Sequence, residues 1–203
     1  MSARSIEEYY QHLVQQPVEY WSIDIHEHLP TLRELVQPGL HVTELGVRWG
    51  ASTVAFLAGN PTALVSYDIV VNRQIEAIVE LARKEQRCFS FIRGDCLSIE
   101  IAPTDILFID TLHTYNQLSL ELPKHAPSVS RLIVLHDTET YGALDEAIYV
   151  HASPIVKTLP QEKQGLKTAY LDFLDSHQGR DWKVHREYSN NNGLTILARR
   201  SVP

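Results

Sequence analysis

Acidic residues recur at the ends of short apolar runs in this chain: Glu44, Asp68, Asp95, Asp110 and Asp137. His113 follows Asp110 by three positions, and His136 immediately precedes Asp137. Carboxylates at such positions accept hydrogen bonds from hydroxyls and amines and attract cations. A histidine beside them, with an unperturbed pKa of about 6.5, can exchange a proton near neutral pH. Residues 44–53 read ELGVRWGAST, with Gly46 and Gly50 four apart and the small hydroxyl residues Ser52 and Thr53 behind them. Glycine belongs where backbone must approach a ligand or take a positive φ. The spacing is GxxxG, however, and not the GxGxxG that cradles a dinucleotide pyrophosphate. With Glu44 beside it, the loop suits a cationic ligand without phosphates.

The other acids extend that reading. Asp68 lies 24 positions after Glu44, where a strand-end acid accepts hydrogen bonds from an unphosphorylated ribose. Asp95 is placed either to receive an adenine amino group or to cap a turn. Asp110 is placed to hold an α-amino group. His113 is the candidate general base for an arriving hydroxyl, with His136 next in line, and Tyr115 either positions the substrate or packs the loop. Asp110 and Asp137, at neighbouring strand ends, could share Mg²⁺ and so lower the pKa of an acceptor oxygen. His136 beside them reduces the negative charge and favours a nitrogen-tolerant ion such as Mn²⁺ or Zn²⁺. Arg48 and Trp49 either line the loop's pocket or face solvent and core. The segment DIHEHL at 24–29 has its two histidines two apart, which do not share a helical face; it reads as N-terminal packing or a lid, not a metal site.

These residues need elements to hold them. From residue 40 the chain alternates strand-like runs (LHVTEL, ALVSYDIV, CFSFIRGD, DILFID, RLIVLHD) with amphipathic ones (ASTVAFLAG, NRQIEAIVELARKEQ, NQLSLELPKHA, YGALDEAIYVHA). Such alternation implies right-handed βαβ units and a mostly parallel sheet. The third helix should stop at its prolines, and the charged end at 82–87 should be solvated. WKVHREY and LTILAR, joined by SNNNG, read as a closing antiparallel hairpin. Residues 1–39 form a helical cap on an α/β core spanning 40–203, in one domain. The chain has 203 residues, 44% of them hydrophobic and 21% charged, and a net charge of −7. That balance argues against broad binding to nucleic acid or an anionic membrane. Without a signal-like or spanning segment, and with Cys88 and Cys96 showing no metal or redox spacing, a cytoplasmic protein with reduced thiols is expected. A homodimer is the default assembly.

Several of these segments together resemble the class I S-adenosylmethionine-dependent methyltransferases. TELGVRWGAST looks like their first motif, VSYDI like their ribose-binding strand end, and GD at 94–95 like their adenine loop. FIDTLHTY followed by RLIVLHDT is similar to a subgroup of small-molecule and sugar O-methyltransferases and cephalosporin-hydroxylase-like proteins. His136 stands where metal-dependent members carry a second acid. The resemblance covers residues 40–140 and implies a doubly wound, seven-stranded, mostly parallel Rossmann-like sheet with a C-terminal antiparallel hairpin. It implies S-adenosylmethionine against Glu44, Gly46, Gly50, Ser52, Thr53, Asp68, Asp95 and Asp110. His113, His136 and Asp137 would be catalytic, Asp110 and Asp137 would be divalent-metal ligands, and the acceptor would be a small hydroxylated molecule. A methyltransferase-fold protein that binds without catalysis and an NAD-dependent oxidoreductase are the alternatives; the missing GxGxxG weighs against the latter.

Overall fold

The computed structural model describes residues 4–17, 22–147 and 153–200. Seven strands form the sheet: β1 (His41–Leu45), β2 (Ala63–Asp68), β3 (Phe89–Arg93), β4 (Thr104–Ile109), β5 (Val129–His136), β6 (Trp182–Tyr188) and β7 (Leu194–Arg199). Their order is β3-β2-β1-β4-β5-β7-β6. The first five are parallel, whereas β7 runs antiparallel to both β5 and β6. The chain therefore winds outward from β1 in one direction and restarts at β4 in the other. Between the carboxyl ends of β1 and β4 lies the crevice where open α/β sheets bind ligands.

Side chains alternate across the sheet, and the two faces carry separate cores. One packs Val42, Leu64, Phe108 and Val134 against α1 (Ile6–Gln15), α2 (Leu29–Leu35), α3 (Ala51–Ala58) and α4 (Arg73–Lys84). The other packs Leu45, Leu107, Ile133 and Leu135 against α5 (Tyr115–His125) and α7 (Leu166–Asp175). Caps fix the helix starts. Ser5 accepts from the Glu8 amide at 3.0 Å, and Asn72 accepts from those of Gln74 and Ile75 at 2.9 and 3.1 Å. Each satisfies amides that the first turn leaves unpaired.

Two local expectations fail. α5 runs through Pro123 to His125; near its last turn the proline forfeits a single intrahelical bond while the buried Leu118 and Leu122 hold the helix to the sheet. The expected helix from 141 does not form over residues 141–147, and 148–152 lie outside the described residues. Asp145 Oδ1 instead accepts from the Tyr115 and Gly165 amides at 2.8 and 2.7 Å. Long-range bonds thus take the segment that local periodicity would have coiled. The short helix α6 (Pro154–Thr158) follows it. No helix among the described residues is long and apolar enough to cross a membrane.

Candidate functional site

A cavity of about 560 Å³ opens beyond the carboxyl ends of the strands. Of the residues singled out in the sequence, Gly46, Asp68, Asp95, Asp110, His113 and Asp137 line it. Gly46 has φ +84°, and a Cβ there would stand 1.9 Å from the Asp110 carbonyl oxygen. Only glycine lets the chain leave β1 so close to β4. Asp68 turns its carboxylate onto the loop: Oδ2 accepts from the Val47 and Arg48 amides at 2.8 and 2.9 Å, and Oδ1 from Val70 at 2.9 Å. Of roughly four acceptor positions on a carboxylate, these leave about one for a ligand hydroxyl, where the sequence suggested two. Asp95 caps the turn after β3, accepting from the Leu97 amide at 2.9 Å, and still borders the cavity.

Glu44, Gly50, Ser52 and Thr53, expected against the cofactor, do not line this cavity. Glu44 sits inside β1, paired with Ser66, so its side chain points to the α3 face. There it is fully buried and accepts from Ser52 Oγ at 2.5 Å, Thr53 Oγ1 at 2.7 Å and Ser66 Oγ at 2.5 Å. Burial pushes its pKa up to about 7, against the pull of those hydroxyls and with a further push from the Asp110 charge. This knot ties α3 to the sheet beneath the loop. Gly50 has φ +82°, and a Cβ there would strike Ile78 Cδ1 at 2.4 Å. One glycine of the GxxxG serves the strand crossing and the other serves packing against α4.

Asp110, His113, His136 and Asp137 do converge. β5 ends at His136, and Asp137 takes φ +59°, a left-handed conformation. That turn brings two consecutive side chains to one place, which an extended strand would send to opposite faces. His113 Nε2 lies 3.1 Å from Asp110 Oδ1 and 3.0 Å from Asp137 Oδ2, and Nδ1 lies 2.7 Å from Glu146 Oε2. The ring stacks on Tyr141, with centroids 5.0 Å apart. His136 Nδ1 stands 3.4 Å from Asp110 Oδ1 and 3.3 Å from Asp137 Oδ2. Its ring is buried and meets His28 edge-on at 5.8 Å.

Burial would lower both histidine pKa values, but the carboxylates prevail. Hydrogen bonds to Asp110, Asp137 and Glu146 hold His113 well above its ordinary value. The Asp110 and Asp137 charges lift His136 to about 10. In return the Asp110 carboxyl is held far below the carboxylate range, and Asp137 is lowered too. These carboxylates favour the protonated form of His113, whereas the sequence suggested a neutral base. A ring in that form accepts a proton only after releasing its own.

Glu146 was not legible as a site residue. Its amide donates to the His113 carbonyl at 2.9 Å and its carboxylate accepts from the His113 amide at 3.1 Å, so the two residues hold each other. Only the acidic pair at 145–146 hinted at it, within a stretch that reads as helix. Asp24 of DIHEHL also reaches the cavity and pairs with Arg48, while His28 of the same segment is buried with Nε2 2.9 Å from the Asn190 carbonyl. Ligand atoms of Asp110, His113 and Asp137 lie within 4.8 Å of one another. Asp137 Oδ1 is buried without a hydrogen-bond partner. Two hard carboxylates, one of them with an orphaned oxygen, and an imidazole are compatible with a divalent cation.

No family model and no curated protein matches the sequence. Solved structures do match over nearly the whole chain. An O-methyltransferase from Bacillus cereus in complex with S-adenosylhomocysteine (SAH) superposes with TM-score 0.63 at 14% identity, covering 98% of this chain and 92% of that one. Magnesium protoporphyrin IX methyltransferase from Synechocystis PCC 6803 with bound SAH gives 0.59 at 17%, covering 98% and 95%. A tRNA methyltransferase from Bacillus subtilis gives 0.54 at 11%, covering 86% and 66%. The chain has the class I methyltransferase fold, as its motifs implied. Neighbours with such different acceptors leave the acceptor to be argued from the site.

Proposed function

We propose that this protein is an S-adenosylmethionine-dependent methyltransferase that methylates an oxygen of a small hydroxylated molecule, a sugar or natural-product intermediate. The observation that carries the reading is the row Asp68, Asp95 and Asp110 along one cavity, with His113 and Asp137 at its end. Bound there, the cofactor would supply an electrophilic methyl group on a sulfonium. Asp68 would accept one ribose hydroxyl while holding the loop with its other positions. Asp95 would face the adenine end, and Asp110 the cationic amino-acid end. His113, once it has given up its proton, would take that of the acceptor hydroxyl; Glu146 on Nδ1 keeps Nε2 toward the cavity. His136 touches both aspartates from below, a positioning role. A divalent cation, if bound, would be held by Asp110 and Asp137, and would lower the pKa of an acceptor oxygen. The orphaned Asp137 Oδ1 supports that addition.

Calorimetry tests the cofactor. SAH should bind and NAD⁺ should not. Asp68→Ala should weaken SAH about ten- to hundredfold, as expected for one bond to a charged group of about 1.5–3 kcal/mol. Binding of NAD⁺ with none of SAH would replace the methyltransferase reading by the oxidoreductase one.

A further inference from the structure

A cofactor bearing a carboxylate meets a hostile cavity here. The lining holds six carboxylates, Asp24, Asp68, Asp95, Asp110, Asp137 and Glu146, against one permanent cation among the described residues, Arg48. His113 is already enclosed by three of those acids. Arg48 is built unusually. Its φ is +50°, in a region that side chains other than glycine rarely adopt. Bonds on both sides enforce this: its amide donates to Asp68 Oδ2 at 2.9 Å, and its carbonyl accepts from Asn72 Nδ2 at 2.6 Å. The side chain, 58% exposed, pairs its guanidinium with Asp24 at the cavity wall. An exposed pair of this kind contributes little to stability, so holding the loop together does not require it.

We propose that Arg48 is the receptor for the carboxylate at the cofactor's amino-acid end, and that Asp24 occupies the guanidinium until that carboxylate replaces it. The inference rests on the cavity being the S-adenosylmethionine site. The amino-acid end carries an ammonium and a carboxylate on one carbon. Asp110, whose carbonyl backs onto Gly46, suits the ammonium. Arg48, two residues along the same loop, then suits the carboxylate with its planar two-pronged donor. One carboxylate leaves the arginine as another arrives, so charge pairing at Arg48 is preserved. Asp24 belongs to a segment latched elsewhere, since the Glu27 amide donates to Asn191 Oδ1 at 2.9 Å and His28 meets the Asn190 carbonyl. Releasing Arg48 therefore leaves the segment anchored.

The test compares two ligands by calorimetry: SAH, and 5′-methylthioadenosine, a nucleoside thioether without the amino-acid carboxylate. Arg48→Gln should weaken SAH roughly ten- to hundredfold and leave the nucleoside within about twofold, with Arg48→Lys in between. Asp24→Asn should tighten SAH up to about fivefold, and do nothing in an Arg48→Gln background. Equal losses for both ligands would reduce Arg48 to a loop-shaping residue and overturn the inference. Unchanged SAH affinity in Arg48→Gln would place the carboxylate elsewhere, and weaker SAH binding in Asp24→Asn would make Asp24 a ligand contact. If the folded wild-type protein binds neither ligand, it is the reading of the cavity that falls, whatever Arg48 does.

Discussion

Glu44 offers a direct physical test, because its carboxylate is buried with hydroxyl partners and no cation. Its pKa stands at about 7 in the folded protein against an ordinary 4.5. At about 1.36 kcal/mol per pH unit, that interval amounts to roughly 3 kcal/mol. The sign follows from proton linkage. Below pH 4.5 folded and unfolded chains both carry the proton, and Glu44 contributes no pH dependence. Between 4.5 and 7 the folded chain keeps a proton that the unfolded chain has released, so rising pH destabilises the fold. Above 7 the penalty is complete and constant. Glu44→Gln removes the charge and nearly preserves the shape, with the three hydroxyls free to turn and accept from the amide. The variant should match the wild type near pH 4.5 and exceed it by up to about 3 kcal/mol at pH 8. Urea unfolding at half-unit pH intervals measures this. The difference between the two proteins cancels other titrations, including the histidines, whose raised pKa values add stability that is lost above pH 6.5 and, for His136, through about 10. A gap that stays constant from pH 4.5 to 8 would refute the buried-carboxylate argument. SAH affinity should be unchanged in the variant; a collapse would return Glu44 to the cofactor.

Two further outcomes concern the reacting end of the cavity. Once an acceptor is in hand, His113→Gln should keep SAH binding and lower turnover by about 10²–10⁴, and equal turnover would take the base role from His113. Calorimetric titration with Mn²⁺ should show binding that Asp137→Asn abolishes, and methyl transfer lost in EDTA should return with Mg²⁺ or Mn²⁺; full transfer in EDTA would remove the cation from the reaction.

Much of this was legible because strands write themselves with a period of two and end in turn-forming residues. The hairpin loop SNNNG, the parallel run from β1 to β5 and the acids at the ends of β2 and β4 all follow from local signals. Glu44 shows where such signals stop. It and Asp68 look alike in sequence, yet Glu44 lies inside the ladder opposite Ser66 and faces α3, whereas Asp68 is the last residue of its strand and faces the crevice. The alternation Val42, Glu44 on one face against Leu45 on the other contains that distinction. Reading it requires knowing that α3 packs on the first face, and so knowing the winding of the sheet.

The protonation of His113 lies further from local signals. Its nearest acid, Asp110, is three residues away and gives a neutral base or an ion pair equally well. Two further carboxylates crowd the ring, Asp137 and Glu146, the latter 33 residues on in a segment whose periodicity argues for a helix. That helix is lost because Asp145 spends its side chain on the Tyr115 and Gly165 amides, which pins Glu146 against the imidazole. The third carboxylate adds to the pull that favours the protonated ring, and under the proposed function that proton has to leave before an acceptor can be deprotonated. On that reading, positive charge entering beside Asp110 and Asp137 would compete with His113 for their oxygens and favour loss of its proton. The cofactor's ammonium and a divalent cation are the two candidates, and the Mn²⁺ titration separates them.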